Sequence, residues 1–533
     1  MSKKSFIIPT IFAVGIVIGI FLMRYINGGT NYKITNISNS DTQLINNVLS
    51  LIDNDYVDTV NLKQLQVKAI ENVLETLDPH SEYIPAEMFN EINDPLLGSF
   101  EGIGISFRIE KDTVMVVSVI KGGPSERIGL KAGDRIVAVD DSIVAGVKID
   151  NNKIMRKLKG PKGTNVNVRI KRRDVPELID FTIKRDVIPT FSVDASFMLD
   201  KEIGYVKMSK FAATTHKEFV NAAQKLLKEG MKHLIIDLRD NGGGFLSAAV
   251  DIADEILPKG SLIVYTDGKH RDRQYIFARK TGLLEDTEIT VLIDEGSASA
   301  SEILAGAIQD NDRGTIMGRR SFGKGLVQEQ MMLPDGDALR LTVAHYYTPT
   351  GRCIQKPYDG DMEKYILEAY DRYNTGEMFS VDSVKHTDTL KFVTPQGKIV
   401  YGGGGITPDI YIPLVNDSLK YYFNRVSNAG IVFKNAAEYA DNNRNVLAAA
   451  GFDHFKKSFR LTNDFFDKII MEAEEKGIKG NDEEKNIMRT AAAPIIKAYV
   501  AREIFDEEAF YMLYTENDET VKTCLREIKK ITQ

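Results

Sequence analysis

One stretch, residues 288–328, constrains the fold of this chain more than any other. It begins with an apolar, β-branched run at 289–293, which predicts a buried strand, and it breaks at Glu295 and Gly296. Small residues, an early acid at Glu302 and apolar residues at helical spacing then predict a helix. We therefore expect a strand–turn–helix junction within a mixed α/β fold.

The serines at this junction allow two interpretations. A sharp turn exposes a hydroxyl, and the unpaired N–H groups of the first helical turn point to where an oxyanion would form, as a nucleophile requires. Serine is also a preferred helix N-cap residue, so the segment alone favours capping over catalysis. A nucleophile needs a base as well, and Lys324 lies between Gly323 and Gly325, which permit close packing in a site.

The segment 318–324 also matches the first seven positions of the phosphate-binding loop GxxxxGK[ST]. The eighth position requires Ser or Thr for a magnesium ion, whereas this chain has Gly325. The lysine of such a loop should open a helix, but the turn at 334–336 and the alternation after it predict a β-hairpin. The sequence therefore argues against nucleotide binding.

Seven motifs together resemble the C-terminal processing (tail-specific) peptidases, serine peptidases with a PDZ domain and a Ser–Lys dyad. In chain order they are LDPHSEYIP (77–85), GLKAGDRIVAVD (129–140), LKGPKGTNV (158–166), LIIDLRDNGGG (234–244), GSASASEILAGAIQD (296–310), FGKGLVQ (322–328) and YYTPTGR (346–352). The match covers roughly residues 40–412. The resemblance implies that Ser299 is the nucleophile, that Lys324 is the base and that Gln328 positions the lysine.

The same resemblance implies two further parts of the site. Some members of the family have an acid near the end of the nucleophile helix, which would be Asp310. An oxyanion hole would be formed by the N–H groups of Gly243 and Ala300, with Gly244 as an alternative to Gly243. The family usually has proline at the position of Gly242, which leaves the choice of glycine open.

Residues 93–185 alternate short β-rich runs with turn signals. The segment 100–105 resembles the loop of a PDZ domain in which successive N–H groups bind the terminal carboxylate of a peptide. Alone, its Gly-x-Gly only permits a tight turn, but together with the PDZ-like motif at 129–140 it predicts a PDZ domain. The candidate substrate-binding residues are Gly102, Ile103, Gly104 and Ile105 in the loop, and Ile154 and Leu158 on the helix that would face the bound tail.

Composition and motifs exclude several other classes of function. The formal net charge of −7 argues against a nucleic acid partner. There is no HExxH motif, and no cofactor or metal is expected. A Ser–His–Asp triad is the rival mechanism, but His216, His345 and His386 lie in no recognisable catalytic context. The two cysteines, Cys353 and Cys524, could form a disulfide or be two buried thiols.

The stretch 6–23 is apolar and uncharged. As a helix of 18 residues it would reach about 27 Å and just span the core of a bilayer. Lys3 and Lys4 precede it, which predicts a single-pass inner-membrane protein whose bulk is periplasmic or otherwise extracytoplasmic. A cleaved signal peptide is the alternative, although the flank 24–27 lacks an A-x-A-like site.

At 533 residues the chain is too long for one core. We predict a transmembrane anchor with a cytoplasmic stub (1–27), an N-terminal helical segment of the protease body (40–92), an inserted PDZ domain (93–185), an αβ serine protease core (186–414) and a helical C-terminal extension (415–533). The apolar stripes of the extension indicate packing or contact in a homo-oligomer. The predicted function is that of a serine endopeptidase cutting extracytoplasmic proteins near their free C-termini. A catalytically silent PDZ scaffold that delivers substrates to another protease is the alternative.

Overall fold

The computed structural model describes residues 40–531 apart from 121, 174, 385–389 and 416–420. The described residues up to 73 form one compact unit, and those from 74 onwards form a second. Helices α1 (Ser40–Asp55) and most of α2 (Leu62–Glu75) belong to the first. The second contains all the elements introduced below.

A β-rich domain follows strand β1 (Glu82–Ile84) and helix α3 (Phe89–Leu97). Its elements are β2 (Ser99–Gly102), β3 (Ile105–Glu110), β4 (Thr113–Val119), α4 (Pro124–Arg127), β5 (Arg135–Val139), β6 (Ser142–Ile143), α5 (Asn151–Leu158), β7 (Asn165–Lys171) and β8 (Leu178–Lys184). The sheet has the order β3-β4-β5-β7-β8, with β6 paired to β5. In β7, Val166, Val168 and Ile170 are buried and alternate with exposed polar residues, as a strand with one covered face requires. Strand β9 (Asp186–Pro189) pairs with β2 where the chain leaves this domain.

The αβ core that follows is built on a six-stranded sheet of order β10-β11-β12-β15-β16-β21, whose last strand β21 is Ile410–Tyr411. In chain order, the elements of the core between residues 193 and 347 are β10 (Val193–Met198), β11 (Ile203–Met208), α6 (Thr215–Lys228), β12 (His233–Asp237), α7 (Leu246–Ala253), β13 (Leu262–Gly268), β14 (Arg271–Phe277), β15 (Glu288–Ile293), α8 (Ala300–Asp310), β16 (Thr315–Gly318), β17 (Leu326–Met332) and β18 (Ala338–Tyr347). From β11 to β21 the strands are parallel, and all six residues of β11 are buried. Both faces of a parallel sheet are normally covered, and α6, α7 and α8 pack on one of them.

A second sheet of order β1-β18-β13-β14, with β17 paired to β18, lies beside the first. Strands β17 and β18 form the β-hairpin that the sequence predicts after Lys324. The core ends with α9 (Met362–Asn374), a 3₁₀ turn (Val381–Ser383), β19 (Lys391–Val393), β20 (Ile399–Tyr401) and β21 (Ile410–Tyr411).

The C-terminal region is helical and has an apolar cluster of its own. Its helices are α10 (Tyr421–Asn428), α11 (Ile431–Ala450), α12 (Phe452–Ser458), α13 (Asn463–Glu475), α14 (Asp482–Ile504), α15 (Glu507–Tyr514) and α16 (Glu519–Ile531). The last of them returns to the protease core, where Val521, Cys524 and Ile528 pack on the second face of the six-stranded sheet. Cys524 is therefore buried, Cys353 is half-buried, and both are free thiols rather than a disulfide.

The predicted fold class needs one correction, which concerns the N-terminal transmembrane helix. No helix in the part of the chain that the structure describes is long and apolar enough to cross a membrane. The stretch 6–23 itself lies outside the described residues. Within the described residues, the fold is a mixed α/β core with a β-rich domain and C-terminal helices, and it contains no transmembrane helix.

Candidate active site

Ser299 is the residue before helix α8, and its backbone is strained. Its φ of 57° and ψ of −113° lie in a region that non-glycine residues rarely adopt. The neighbouring hydroxyls of Ser297 and Ser301 are fully buried and donate to the carbonyls of Leu238 (2.8 Å) and Asn241 (2.8 Å). Ser299 alone among the three is partly exposed, so it is the serine that a substrate can reach.

The carboxylate of Glu302 connects the turn at Ser299 to the loop that contains Lys324. It accepts hydrogen bonds from the N–H groups of Ser299 (2.8 Å), Gly323 (2.7 Å) and Lys324 (2.9 Å) and from the hydroxyl of Ser321 (2.5 Å). The side chain is completely buried, and burial raises the pKa of Glu302 to about 6 although the hydrogen bonds oppose this shift. One carboxylate thus fixes the backbone of both members of the predicted dyad.

The sequence interpretation gave Glu302 no role beyond the start of the helix. The Ser-x-x-Glu spacing from Ser299 to Glu302 is a capping-box signature, and it could have identified the contact within the turn. It could not have identified Ser321, Gly323 and Lys324, because those partners lie about twenty residues further along the chain.

Lys324 and Gln328 are in contact, as predicted. The Lys324 Nζ donates to Gln328 Oε1 at 3.0 Å, and Gln328 Nε2 donates to the carbonyl of His80. Burial lowers the pKa of Lys324 from its ordinary value of 10.5, and the guanidinium of Arg340 lowers it further. Among the hydrogen bonds of the described residues, none joins Lys324 Nζ to Ser299 Oγ. The amine of Lys324 therefore lies next to Gln328 and is not hydrogen-bonded to Ser299 in this structure.

Two aromatic or imidazole side chains that the sequence interpretation did not single out complete this part of the site. The hydroxyl of Tyr346 lies within hydrogen-bond distance of the carbonyls of Ser299 (3.1 Å) and Lys324. His80 Nε2 lies 3.1 Å from the hydroxyl of Tyr365 in helix α9. Burial, together with the positive charge of Lys324, lowers the pKa of His80 to about 4. The only sequence signals for these residues were the two motifs in which they stand.

The histidines that the structure describes do not form a triad with Ser299. His216 contacts Glu255, and His345 lies 3.9 Å from the sulfur of Cys353. No histidine in the described ranges has a hydrogen bond to Ser299, and His386 lies outside them. The same ranges hold no group of three or more His, Cys, Asp or Glu side chains that could bind a metal ion.

The predicted oxyanion loop lies against the nucleophile turn. Gly243 has a φ of +99°, and a Cβ added there would come within 2.8 Å of the Ser299 Cβ and 2.9 Å of the Ala300 nitrogen. Only glycine fits so close to the serine. The Gly243 N–H, however, donates to the side-chain oxygen of Asn241 at 2.9 Å. Within the described residues, the N–H groups of Ala300 and Gly244 have no hydrogen-bond partner.

Asp310 is not brought to the dyad. It ends helix α8, about 16 Å from Ser299 at 1.5 Å per residue. Its carboxylate binds Arg352 at 2.6 Å and accepts from the hydroxyl of Thr350 at 2.6 Å, and both charged side chains are fully buried. Asp310 therefore anchors the YYTPTGR segment instead of acting on a substrate.

The segment 102–105 of the β-rich domain makes a turn that contacts Ser125, and the apolar face of helix α5 points into the domain core. Gly104 has a φ of +72°, and the carbonyl of Ile103 accepts from the N–H (3.2 Å) and hydroxyl (2.6 Å) of Ser125. Ile154 and Leu158 are 0% and 4% exposed and pack with Ile103 in the domain core, so neither presents an open surface to a peptide. Strand β3 pairs only with β4 among the described strands, which leaves the edge that an added peptide strand would use.

Replacing Glu302 by glutamine should destabilise the fold. An amide has one acceptor oxygen and adds two donors, so at least one of the four buried donors loses its partner, at about 1–3 kcal/mol each. We expect Glu302→Gln to lower the free energy of unfolding in urea by at least about 2 kcal/mol. The matched control is Glu288→Gln at an exposed position of β15. Equal unfolding curves for the two variants would contradict the role given to this carboxylate.

Comparisons with known proteins show which families this chain resembles. A model described as peptidase family S41 matches residues 202–363, a PDZ domain model matches 102–183, and a family of unknown function, DUF8443, matches 422–506. A carboxy-terminal-processing protease of Bartonella bacilliformis is 36% identical over 312 residues, which cover 58% of this chain and 71% of that protein. The carboxy-terminal processing protease CtpB of Bacillus subtilis is 35% identical over 315 residues, which cover 58% of this chain and 65% of that protein.

Among solved structures, a photosystem II D1 C-terminal processing protease is 25% identical and covers 71% of this chain and 95% of that chain, with a TM-score of 0.35. The serine turn, the glycine loop and the lysine loop all lie inside the region that the S41 model matches. On the similarity to its curated relatives, this PDZ-containing chain belongs to the carboxy-terminal processing proteases of peptidase family S41.

Proposed function

We propose that this chain is a serine endopeptidase in which Ser299 attacks the substrate and Lys324 is the general base. The observation that carries the proposal is the buried carboxylate of Glu302, which holds the backbones of Ser299 and Lys324 at one point. This contact brings a partly exposed serine and a half-buried lysine together from segments that are 25 residues apart in the sequence. A buried lysine beside a serine is an arrangement that activates a hydroxyl without histidine.

The base must be uncharged, because an ammonium group has no lone pair to accept the serine proton. Burial of Lys324 favours the neutral amine. The amine takes the proton from Ser299 Oγ as the oxygen bonds to the substrate carbonyl carbon, and it then gives that proton to the nitrogen of the leaving chain. A water molecule, deprotonated by the same amine, releases the acyl group from Ser299. Catalytic hydrogen bonds often form only with substrate bound, so the lysine turns from Gln328 towards the serine at that stage.

The oxyanion of the tetrahedral intermediate needs donors at the start of α8. Ala300 supplies one N–H from the unpaired first turn of the helix. The second comes from the glycine loop, either from Gly244 or from Gly243 after its N–H leaves Asn241. The fit of Gly243 against Ser299 supports this loop as the second side of the oxyanion hole.

The PDZ domain is proposed to select the substrate through its free C-terminus. The carboxylate would bind the N–H groups of the loop at 102–105, and the tail would add to the free edge of β3. Holding the tail there raises the effective concentration of the preceding segment at Ser299, so cleavage occurs near the C-terminus. The extracytoplasmic location of the substrates stays a prediction from the sequence.

Substitution of the dyad tests the reaction. Ser299→Ala and Lys324→Ala should each reduce casein cleavage by the full chain by at least about a thousandfold, because they remove the nucleophile and its base. The matched controls are Ser247→Ala and Lys269→Ala, both at exposed positions, which should cleave like the wild type. Cleavage at the wild-type rate by folded Lys324→Ala would refute the dyad. A wild-type protein that binds C-terminal peptides without cleaving any substrate would support the scaffold alternative.

The rate should rise with pH through the pKa of Lys324. Since burial holds this pKa below 10.5, the neutral fraction of the amine, and with it kcat/KM, should increase at a pH lower than that of an exposed lysine. The measurement is kcat/KM for a tail peptide between about pH 6 and pH 10, with circular dichroism at each pH to confirm that the fold persists. A rate that falls over this range would exclude lysine as the base.

Amidating the substrate tail should slow cleavage. A charge-assisted hydrogen bond contributes about 1.5–3 kcal/mol, so loss of the carboxylate should cost about tenfold or more in kcat/KM. The same peptide acetylated at its N-terminus is the control and should be cleaved at the original rate. Equal rates for acid and amide tails would remove the PDZ domain from substrate selection and leave the dyad unaffected.

A further inference from the structure

A buried arginine, Arg239, lies at the start of the oxyanion loop and contacts both the core and the C-terminal region. The guanidinium of Arg239 donates to the carboxylate of Asp237 at 2.6–3.1 Å and to Asp518 Oδ2 at 2.7 Å. The side chains of Arg239, Asp237 and Asp518 are 15%, 1% and 6% exposed. Asp518 directly precedes α16, the last described helix, and lies 279 positions from its partner.

The arginine is linked to the glycines by a short and well-fixed backbone. Lys207 Nζ donates to the carbonyl of Arg239, and the N–H of Asp240, whose φ is +56°, donates to Asp294 at 2.9 Å. Asn241 then donates to the carbonyl of Met208 at 3.0 Å. The same Asn241 side chain accepts from the N–H of Gly243, so a continuous chain of contacts joins Arg239 to the oxyanion loop.

On the side that faces the C-terminal helices, the oxyanion loop is not held by apolar packing. A cavity of about 690 Å³ lies there, lined by Asp240, Asp294 and Arg319 of the core and by Tyr499, Phe510 and Tyr514 of the C-terminal region. Arg239 and Asp518 both line this cavity, and their ion pair connects the core to the C-terminal region there. The contact between loop and helices is therefore polar and specific at this place.

The charges of the group balance. Lys207 and Arg239 carry two positive charges, and Asp237 and Asp518 carry two negative ones. Burial raises the pKa of Asp237, but Arg239 and Lys207 outweigh burial and hold this pKa below its ordinary value. Loss of either carboxylate would leave a buried positive charge uncompensated, which a folded protein avoids by local displacement or hydration.

We propose that Asp518 is a positioning residue of the peptidase, through which the helical C-terminal region holds Arg239 and keeps the loop 239–244 against Ser299. This inference rests on the proposed function of Ser299, because the loop matters only as part of its oxyanion hole. It gives the C-terminal region a task in the reaction in addition to packing. Asp518 itself does not touch the substrate.

The substitution Asp518→Asn isolates the charge. Asp518 Oδ1 also caps α16 by accepting from the N–H of Thr520 at 2.8 Å, and asparagine caps helices as well as aspartate does. Asp506→Asn is the matched control, because Asp506 caps α15 through the N–H of Ala509 at 2.8 Å and is exposed. Both variants are made in the full chain, and thermal unfolding confirms that each is folded.

Two readouts are compared with the wild type. Hydrogen–deuterium exchange of the segment 239–245 should be at least about tenfold faster in Asp518→Asn and unchanged in Asp506→Asn. For a tail peptide, kcat should fall about ten- to hundredfold while KM stays within about twofold, because misplaced donors weaken the transition state and not substrate binding. If Asp518→Asn does not fold, Arg239→Lys, which keeps the positive charge and loses the two-sided contact, should give the same two changes.

Unchanged exchange of 239–245 in the folded variant would overturn the proposal, and so would an equal fall of kcat in Asp506→Asn. A rise of KM with constant kcat would also overturn it, since that result would place Asp518 in substrate binding. The exchange readout does not need activity. If the wild type cleaved nothing, the proposed function would fail, and the exchange result would still decide whether Asp518 holds the loop.

Discussion

The carboxylate of Glu302 is the interaction on which the site depends. It stands in the first turn of α8, where the N–H groups of a helix favour a negative charge, and it accepts donors from two segments of the chain. The cost of burying a carboxylate is offset here by four short hydrogen bonds, all from groups that would otherwise lack partners. The strained turn at Ser299 and the glycine-flanked loop of Lys324 are held by the same group. The Glu302 carboxylate therefore holds both segments in conformations that neither would keep alone.

Around this junction the two sheets divide the work. The six-stranded sheet delivers the serine turn and the glycine loop from the carboxyl ends of neighbouring parallel strands, β15 and β12. The second sheet delivers Gln328 on β17, and the segment before β1 delivers the carbonyl of His80 that orients the glutamine amide. The lysine lies where the two sheets meet, so its burial, and with it the lowered pKa, is a consequence of the architecture.

Structural features that depend on residues close in the sequence were predicted well, and features that depend on distant partners were not. The strand, turn and helix around Ser299 were readable because the apolar pattern and the break at Glu295 and Gly296 are local. Lys324 and Gln328, four residues apart in one loop and strand, also came out as neighbours. The wider bonding of Glu302 was invisible, because a sequence does not show which loops fold back on a helix.

Where Asp310, Ile154 and Leu158 lie has physical reasons that the sequence could have supplied in part. Asp310 is eleven residues after Ser299 along a rigid helix, so the helical rise already separates them. Ile154 and Leu158 lie on one face of α5, and the core of a small domain takes the apolar face of its helix before any ligand does. The transmembrane component of the predicted fold was corrected by the described helices, none of which is apolar enough to cross a bilayer.

The return of α16 to the protease core has a consequence for synthesis of the protein. One face of the catalytic sheet is covered by residues near position 528, more than two hundred residues after the nucleophile. A ribosome-bound chain that contains Ser299 and Lys324 but not yet α16 therefore exposes an apolar sheet face. Such a chain needs protection from aggregation, and it lacks the ion pair at Arg239. Coverage of this sheet face during synthesis therefore begins only after α16 has left the ribosome.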